Sequence, residues 1–407
     1  MILFLSSCGS IEKLSHQDFA DEINSSESTL QADFLILHSD SIKSTLFFHV
    51  PDQSALFMRD SDMFISKLKV TYEMHLNYES KAIVDSGSKL IAKSSLSNSD
   101  QINDSIVFAM KYGYQYIMKV TIKDLNRNAT ITRVLSVNKT SNFTRQNYML
   151  LDLNSEIQYR YYILNNEHFK LWSANDFNER YFVRCYFRKY PLATPPFKVS
   201  ELQIFNYKAD SIFTVHADSV PLLTLNRFGI YHFQEDTNRK DGFTLFQYNS
   251  DFPLVTNPLE LVEATRYLTS NNEFKELINA SDKKNAIDNF WIKLGGNKEN
   301  ARELIRTYYS RVQKANTKFS SFMEGWKTDR GMIYIIFGPP SSVYKDDVSE
   351  YWNYTNQLYI PDQTFVFKRM ANPFTDNDFS LIRQSTFDTP YFMAVDQWRQ
   401  GRIANDK

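Results

Sequence analysis

The side chains best able to do chemistry in this 407-residue chain stand close together near its C-terminal end. The run Gly325-Trp326-Lys327-Thr328-Asp329-Arg330-Gly331 places an aromatic plate, a hydroxyl, a carboxylate and a guanidinium side by side. Trp352 and Arg399 add a second plate and a second fork. Aromatic plates with Asp and Arg forks suit a sugar or peptide ligand. Trp326, Thr328, Asp329, Arg330, Trp352 and Arg399 are therefore candidate binding residues. A structural use of the same residues competes with that reading. Thr328 to Gly331 reads as a β-turn with Gly last, and Asp329 can accept backbone N–H bonds within it. Arg330 then pairs with Asp329 or with a carboxylate such as Glu350, and Trp326 covers the join between a helix and a strand. A third use is hydrolytic. Two of Glu324, Asp329, Asp346, Asp347 and Glu350 would have to face each other about 5–10 Å apart in a cleft.

Other chemistries lack their residues. The seven histidines (16, 38, 49, 75, 168, 216 and 232) show no ligand spacing, and none lies beyond His232. A histidine-based triad or a His/Cys zinc site therefore cannot arise in the C-terminal third. GxSxG, HExxH, P-loop and EF-hand patterns are absent, so neither metal nor cofactor is expected. Eleven glycines are too few for several Gly-rich phosphate loops. With 46 basic and 47 acidic side chains the net charge is −1, which argues against a nucleic-acid partner. Apolar residues at 43% exclude a wholly disordered chain.

The two cysteines cannot make a disulfide scaffold. Cys185 alternates with Val183 and Phe187 on one strand face and reads as a core residue. Cys8 follows Leu5-Ser6-Ser7, which resembles a bacterial lipobox, although the apolar run before it is short and uncharged. Residues 1–8 are expected to be a signal remnant ending at a lipidated Cys8, and residues 9–29 a polar tether. Gly9 is not the Asp that retains lipoproteins at the inner membrane, so an outer-membrane anchor is expected, facing the periplasm or the outside. No stretch is long and apolar enough to span a bilayer as a helix.

The elements that must position these groups fall into three blocks. Residues 30–145 and 146–255 read as two antiparallel β-sandwiches. In Lys67–Tyr78, Leu68, Val70, Tyr72, Met74, Leu76 and Tyr78 alternate with polar residues. In Tyr112–Lys123, Tyr112, Tyr114, Tyr116, Met118, Val120 and Ile122 share a face. Further strands are expected at 45–50, 130–137, 155–163, 180–188, 211–215, 229–234 and 243–248. Residues 256–407 read as an α+β module. Its main helix is capped by Asn297 and striped by Ala301, Ile305, Tyr308, Val312, Ala315, Phe319 and Phe322, ending at Gly325. An apolar strand at Met332–Phe337, short strands near 350–354, 357–360 and 364–368, and a helix at 389–400 complete it. Residues 291–330 carry a basic surplus, including Lys298, Arg302, Arg306 and Lys314. It reads either as a solvated helix face or as a dock for an acidic partner or anionic headgroups.

Six of the 11 glycines and four of the five tryptophans lie in residues 291–401. In so Gly-poor a chain, this clustering marks special backbone geometry. The segment resembles the GWxTD domain through Gly325, Trp326, Thr328 and Asp329. Phe290-Trp291, Tyr308–Asn316, Phe319, Asp329-Arg330-Gly331, Ile333-Tyr334-Ile335 and Phe337-Gly338-Pro339-Pro340 follow in that family's order. Tyr351–Tyr354 and Gln397–Gly401 resemble its later signatures, while Leu294-Gly295-Gly296 replaces its usual Asp-Pro-like turn. The resemblance implies an envelope lipoprotein or secreted protein of Bacteroidota-type bacteria, with β domains before the module, and supplies no catalytic residues. The leading functional expectation is a non-catalytic binding or assembly role, accessory to an outer-membrane or surface complex and served by an envelope protein partner. The alternatives are a glycan-acting hydrolase and a glycan-binding module.

Overall fold

The computed structural model describes residues 12–24, 30–95, 101–175, 180–199, 205–216 and 222–403; Cys8 lies outside them. The first sandwich comprises β1 (Asp33–His38), β2 (Lys43–Pro51), β3 (Met58–Asp60), β4 (Met63–His75), β5 (Ile83–Ser94), β6 (Gln101–Ala109), β7 (Gln115–Asp124) and β8 (Thr130–Asn138). One sheet runs β1-β2-β6. The other runs β3-β4-β7-β8, with β5 also paired to β4. The alternation in β4 buries Leu68, Val70, Tyr72 and Met74 between the sheets. Leu76 falls past the strand end and is exposed, whereas Tyr78 turns into the core of the C-terminal module. Tyr112 and Tyr114 precede β7 and stay exposed, while Tyr116, Met118, Val120 and Ile122 are buried.

The second sandwich comprises β9 (Tyr148–Leu151), β10 (Tyr162–Leu164), β11 (His168–Ser173), β12 (Arg180–Tyr186), β13 (Ser211–His216), β14 (Leu222–Thr224), β15 (Gly229–Gln234) and β16 (Phe243–Tyr248). Its sheets are β10-β16-β15-β12-β13 and β14-β11-β9, around Tyr148, Phe169, Val183, Cys185, Phe233 and Leu245. The strand expected at 155–163 is mostly loop, with one bridge at Ile157 before β10. β10 joins β16 in parallel, a departure from the antiparallel expectation. A separate aromatic cluster, including Tyr186, Tyr248, Phe205, Phe322 and Phe374, joins this sandwich to the C-terminal module.

Helices α1 (Ala20–Asn24), α2 (Pro258–Ala264), α3 (Asn271–Asn279), α4 (Lys283–Gly295), α5 (Lys298–Phe319), α6 (Asp329–Phe337) and α7 (Asp388–Arg399) enclose a sheet in the C-terminal module. That sheet is β17 (Ser342–Lys345), β18 (Ser349–Tyr354), β19 (Gln363–Arg369) and β20 (Phe379–Leu381), in sequence order and antiparallel. Asn297 caps α5 by accepting from the Asn300 N–H at 2.8 Å. Ala301, Tyr308, Val312, Ala315 and Phe319 form the buried stripe.

Four expectations are corrected. The helix α5 ends at Phe319, with Ser320 leaving helical geometry, so Phe322 and Gly325 lie beyond it. Met332–Phe337 is helix rather than strand. Every residue from Arg330 to Phe337 is buried, so no polar face marks a period, and the run is too short to separate the two by pattern. Residues 357–360 are a turn, with Asn356 and Tyr359 at φ of 57° and 63°. Residues 12–24, inside the expected tether at 9–29, are docked onto the C-terminal module. Leu14, Phe19, Ala20 and Ile23 are buried in its core, and the Phe19 N–H donates to the Val343 carbonyl at 2.7 Å.

Candidate functional site

The motif is a close-packed corner between α5 and α6. Residues Gly325–Lys327 form one 3-10 turn, and Thr328 is the N-cap of α6. The Thr328 hydroxyl accepts from the Gly331 N–H at 3.1 Å and donates to the Gly325 carbonyl at 2.7 Å. This replaces the β-turn expected at Thr328–Gly331. The turn presses against its neighbours so closely that only glycine fits. A Cβ on Gly325 would lie 1.9 Å from the Ala315 carbonyl oxygen, and one on Gly331 1.9 Å from that of Gly325. Trp326 is 1% exposed. Its N–H donates to Asn316 Oδ1 at 3.2 Å, and its carbonyl accepts from the Tyr267 hydroxyl at 2.9 Å. It fills the corner between two helices, where a helix–strand join was expected.

Asp329 and Arg330 point to different partners. The Asp329 carboxylate accepts from the Leu381 N–H of β20 at 2.7 Å and from both terminal nitrogens of Arg383, at 3.0 and 2.5 Å. Its expected bonds within its own turn are therefore replaced by a tie to the sheet. Arg330, 4% exposed, reaches Glu350 Oε2 at 3.2 Å and the Asn377 carbonyl at 2.8 Å, with its guanidinium over the Phe379 ring. The Trp352 indole N–H donates to the same Glu350 oxygen at 3.2 Å. Burial pushes the Glu350 carboxyl up, but Arg330 and Lys345 more than offset it and hold it below the usual carboxylate range. Arg399 lies elsewhere, forked onto Glu273 of α3 at 3.0 and 2.8 Å.

The six candidate binding residues thus do not share one exposed wall. Trp326 and Trp352 are closed inside the core, and Arg399 serves α3. The five candidate carboxylates are also engaged. Glu324 pairs with Lys327. Asp346 accepts from the Val348 and Ser349 N–H groups, and Asp347 from that of Tyr78. Asp329 and Glu350 hold arginines. Among the described residues, no group of three or more His, Cys, Asp or Glu side chains is placed to hold a metal ion, and no helix is long and apolar enough to cross a membrane.

The open chemistry lies next door. A cavity of about 1120 Å³ opens where the three modules meet. Asp33, His49 and Asn103 from the outer face of β1-β2-β6 form one wall, and Tyr159–Tyr162 another. Glu350, Arg369 and Phe379 form the wall belonging to the C-terminal module, so the Arg330–Glu350 network backs directly onto the cavity.

The GWxTD domain family model matches residues 229–400. This chain carries a GWxTD domain. A search of curated proteins finds no match. The match begins at β15, inside the second sandwich, and runs through α7. In this GWxTD domain the named residues build the corner that locks α5, α6 and β20 together. Arg311 was not singled out from the sequence, yet it is buried over Trp398 and donates to the Ile335 carbonyl at 3.0 Å near the end of α6. Its signal was available, because Leu304, Tyr308, Arg311 and Ala315 step by 4, 3 and 4 along the buried stripe. Arg383, Asn377 and Glu22 carried no local signal. Glu22 accepts from the Val134 N–H and pairs with Lys345, tying α1 to the first sandwich and to the GWxTD domain. Of the basic surplus, Lys298, Arg302 and Arg306 are exposed, whereas Arg311 and Arg330 are interior.

Proposed function

We propose that this protein is a non-catalytic binding component of a bacterial cell envelope, anchored through lipid on Cys8 and accessory to an outer-membrane or surface complex. Its ligand seat is the three-module cavity. The observation that carries this reading is the division of labour around the GWxTD corner. The motif side chains are bonded inside the fold, while the cavity behind Glu350 presents unspent polar and aromatic groups from all three modules. The hydrolase alternative needs two carboxylates free to face a substrate, and each of the five candidates is bonded within the fold. The lipobox and Gly9 support the outer-membrane address.

Two measurements test it. Mass spectrometry of the native chain should find acyl chains on Cys8, and an unmodified thiol there defeats the anchor. Native-membrane capture should recover an envelope partner or ligand with the wild-type chain and lose it with Asn103→Trp, which fills the cavity from an exposed position. Capture unchanged by Asn103→Trp would remove the cavity from the account.

A further inference from the structure

Among the described residues, nothing accepts a hydrogen bond from the guanidinium groups of Arg145 and Arg369 in this cavity, and we propose that it seats a carboxylate-bearing oligosaccharide. This rests on the cavity being the ligand seat. Arg145 stands at the junction of the two sandwiches, with its guanidinium 5.0 Å from the Tyr161 ring centre. Among the described residues it pairs with Asp376 at 3.7 Å, a loose pair whose acid is 66% exposed, and its buried Nε has no hydrogen-bond partner. Arg369 ends β19 opposite Phe379 of β20, with its guanidinium 5.4 Å from that ring. Its Nε is likewise buried and unpartnered, and no carboxylate is paired with it among the described residues. Asp376 and Phe379 are three residues apart, at most about 11 Å of chain, so both arginines face one stretch of wall.

The other charges in the cavity are spent. Lys345 is held by Glu22, Arg160 by Glu167, Asp104 by Lys89, Glu350 by Arg330, and Asp33 accepts from His49. The remaining acids, Glu156 and Asp376, are exposed, and Asp376 is only loosely paired, with Arg145. The interior therefore offers forked cationic donors, which match a carboxylate. The shape points to a sugar chain. Asp33, His49 and Asn103 line up across β1, β2 and β6, so the wall is a sheet face of planar polar side chains, with Tyr159 stacked on His49 at 5.6 Å. Such a face meets a ligand through side chains that both donate and accept hydrogen bonds, which suits the hydroxyls of a sugar. A volume of about 1120 Å³ exceeds the roughly 300–1,000 Å³ of ordinary small-molecule sites, room for several rings.

The test is calorimetric titration of the full chain with three probes: a galacturonic-acid trimer, a neutral galactose trimer and a tri-aspartate peptide. The uronic trimer should bind, the neutral trimer about tenfold or more weakly, and Arg145→Gln and Arg369→Gln should each lose about tenfold. Unchanged thermal midpoints would show that both variants fold, and Arg369→Lys should recover part of the loss. Equal affinity for the neutral trimer, or indifference to both substitutions, overturns the charge assignment. Tighter binding of tri-aspartate overturns the sugar class, and no binding of the uronic trimer overturns the proposal. Each of these leaves the cavity as ligand seat standing so long as Asn103→Trp still abolishes native capture.

Discussion

Asp329→Ala separates a structural GWxTD corner from a reactive one. The Asp329 and Arg383 side chains are 11% and 12% exposed. Removing the carboxylate leaves a largely buried guanidinium with the Thr194 and Leu381 carbonyls as its acceptors. Breaking a buried pair this way costs about 3–5 kcal/mol. The Leu381 N–H of β20 also loses its acceptor, at about 1–3 kcal/mol, and the two losses overlap because one carboxylate serves both. A net loss of about 4 kcal/mol is a large share of the roughly 5–15 kcal/mol of a typical domain. Asp329→Asn keeps an oxygen for Leu381 and should lose about 2–3 kcal/mol. Combining it with Arg383→Met should cost less than the sum of the two single changes by about 2 kcal/mol. Urea unfolding followed by tryptophan fluorescence reads the right module, because Trp291, Trp326, Trp352 and Trp398 are all buried in it. A shift under about 0.5 kcal/mol for Asp329→Ala, the range of an unremarkable surface change, would refute the structural role. A stabilising shift would instead indicate a strained functional carboxylate.

Three further outcomes are expected. Gly331→Ala should cost about 3 kcal/mol or more, because its Cβ would strike a backbone oxygen at 1.9 Å; a melting temperature equal to wild type would show the corner opens freely. Burial holds the His232 imidazole down at about 4, as it does His38. Each folded-state value lies below the unfolded 6.5, so stability is full above pH 6.5 and falls as the pH drops toward 4, by up to about 3 kcal/mol per ring. His232→Gln should flatten that slope in pH-dependent melting curves. The Arg399 fork holds the Glu273 carboxyl at about 2, a contribution present above pH 4.5 and lost as the pH falls toward 2. Discounted for the partial exposure of the pair, Arg399→Gln should cost about 1 kcal/mol at neutral pH and less below pH 3 by the same unfolding assay.

The sequence by itself determined the elements whose burial is one-sided. β4 alternates because one face meets the opposite sheet, and α5 steps by four and three because one stripe meets the core. A single boundary between apolar and polar surface leaves a period in the chain. Where burial is complete the period vanishes, so α6 read as a strand although its N-cap Thr328 was in plain view. The clustering of Gly and Trp located the corner, since a glycine forced by close approach is a local requirement even when its neighbour is distant. The long-range partners of Asp329 and Lys345 were decided by tertiary structure alone. Asp329 meets Arg383 across 54 residues, and Lys345 meets Glu22 across 323. The cavity is further still from local reading, because its walls come from β1, the loop before β10, and β19. Those segments are brought together by how three separately built cores pack, and no short-range pattern in the chain records that packing.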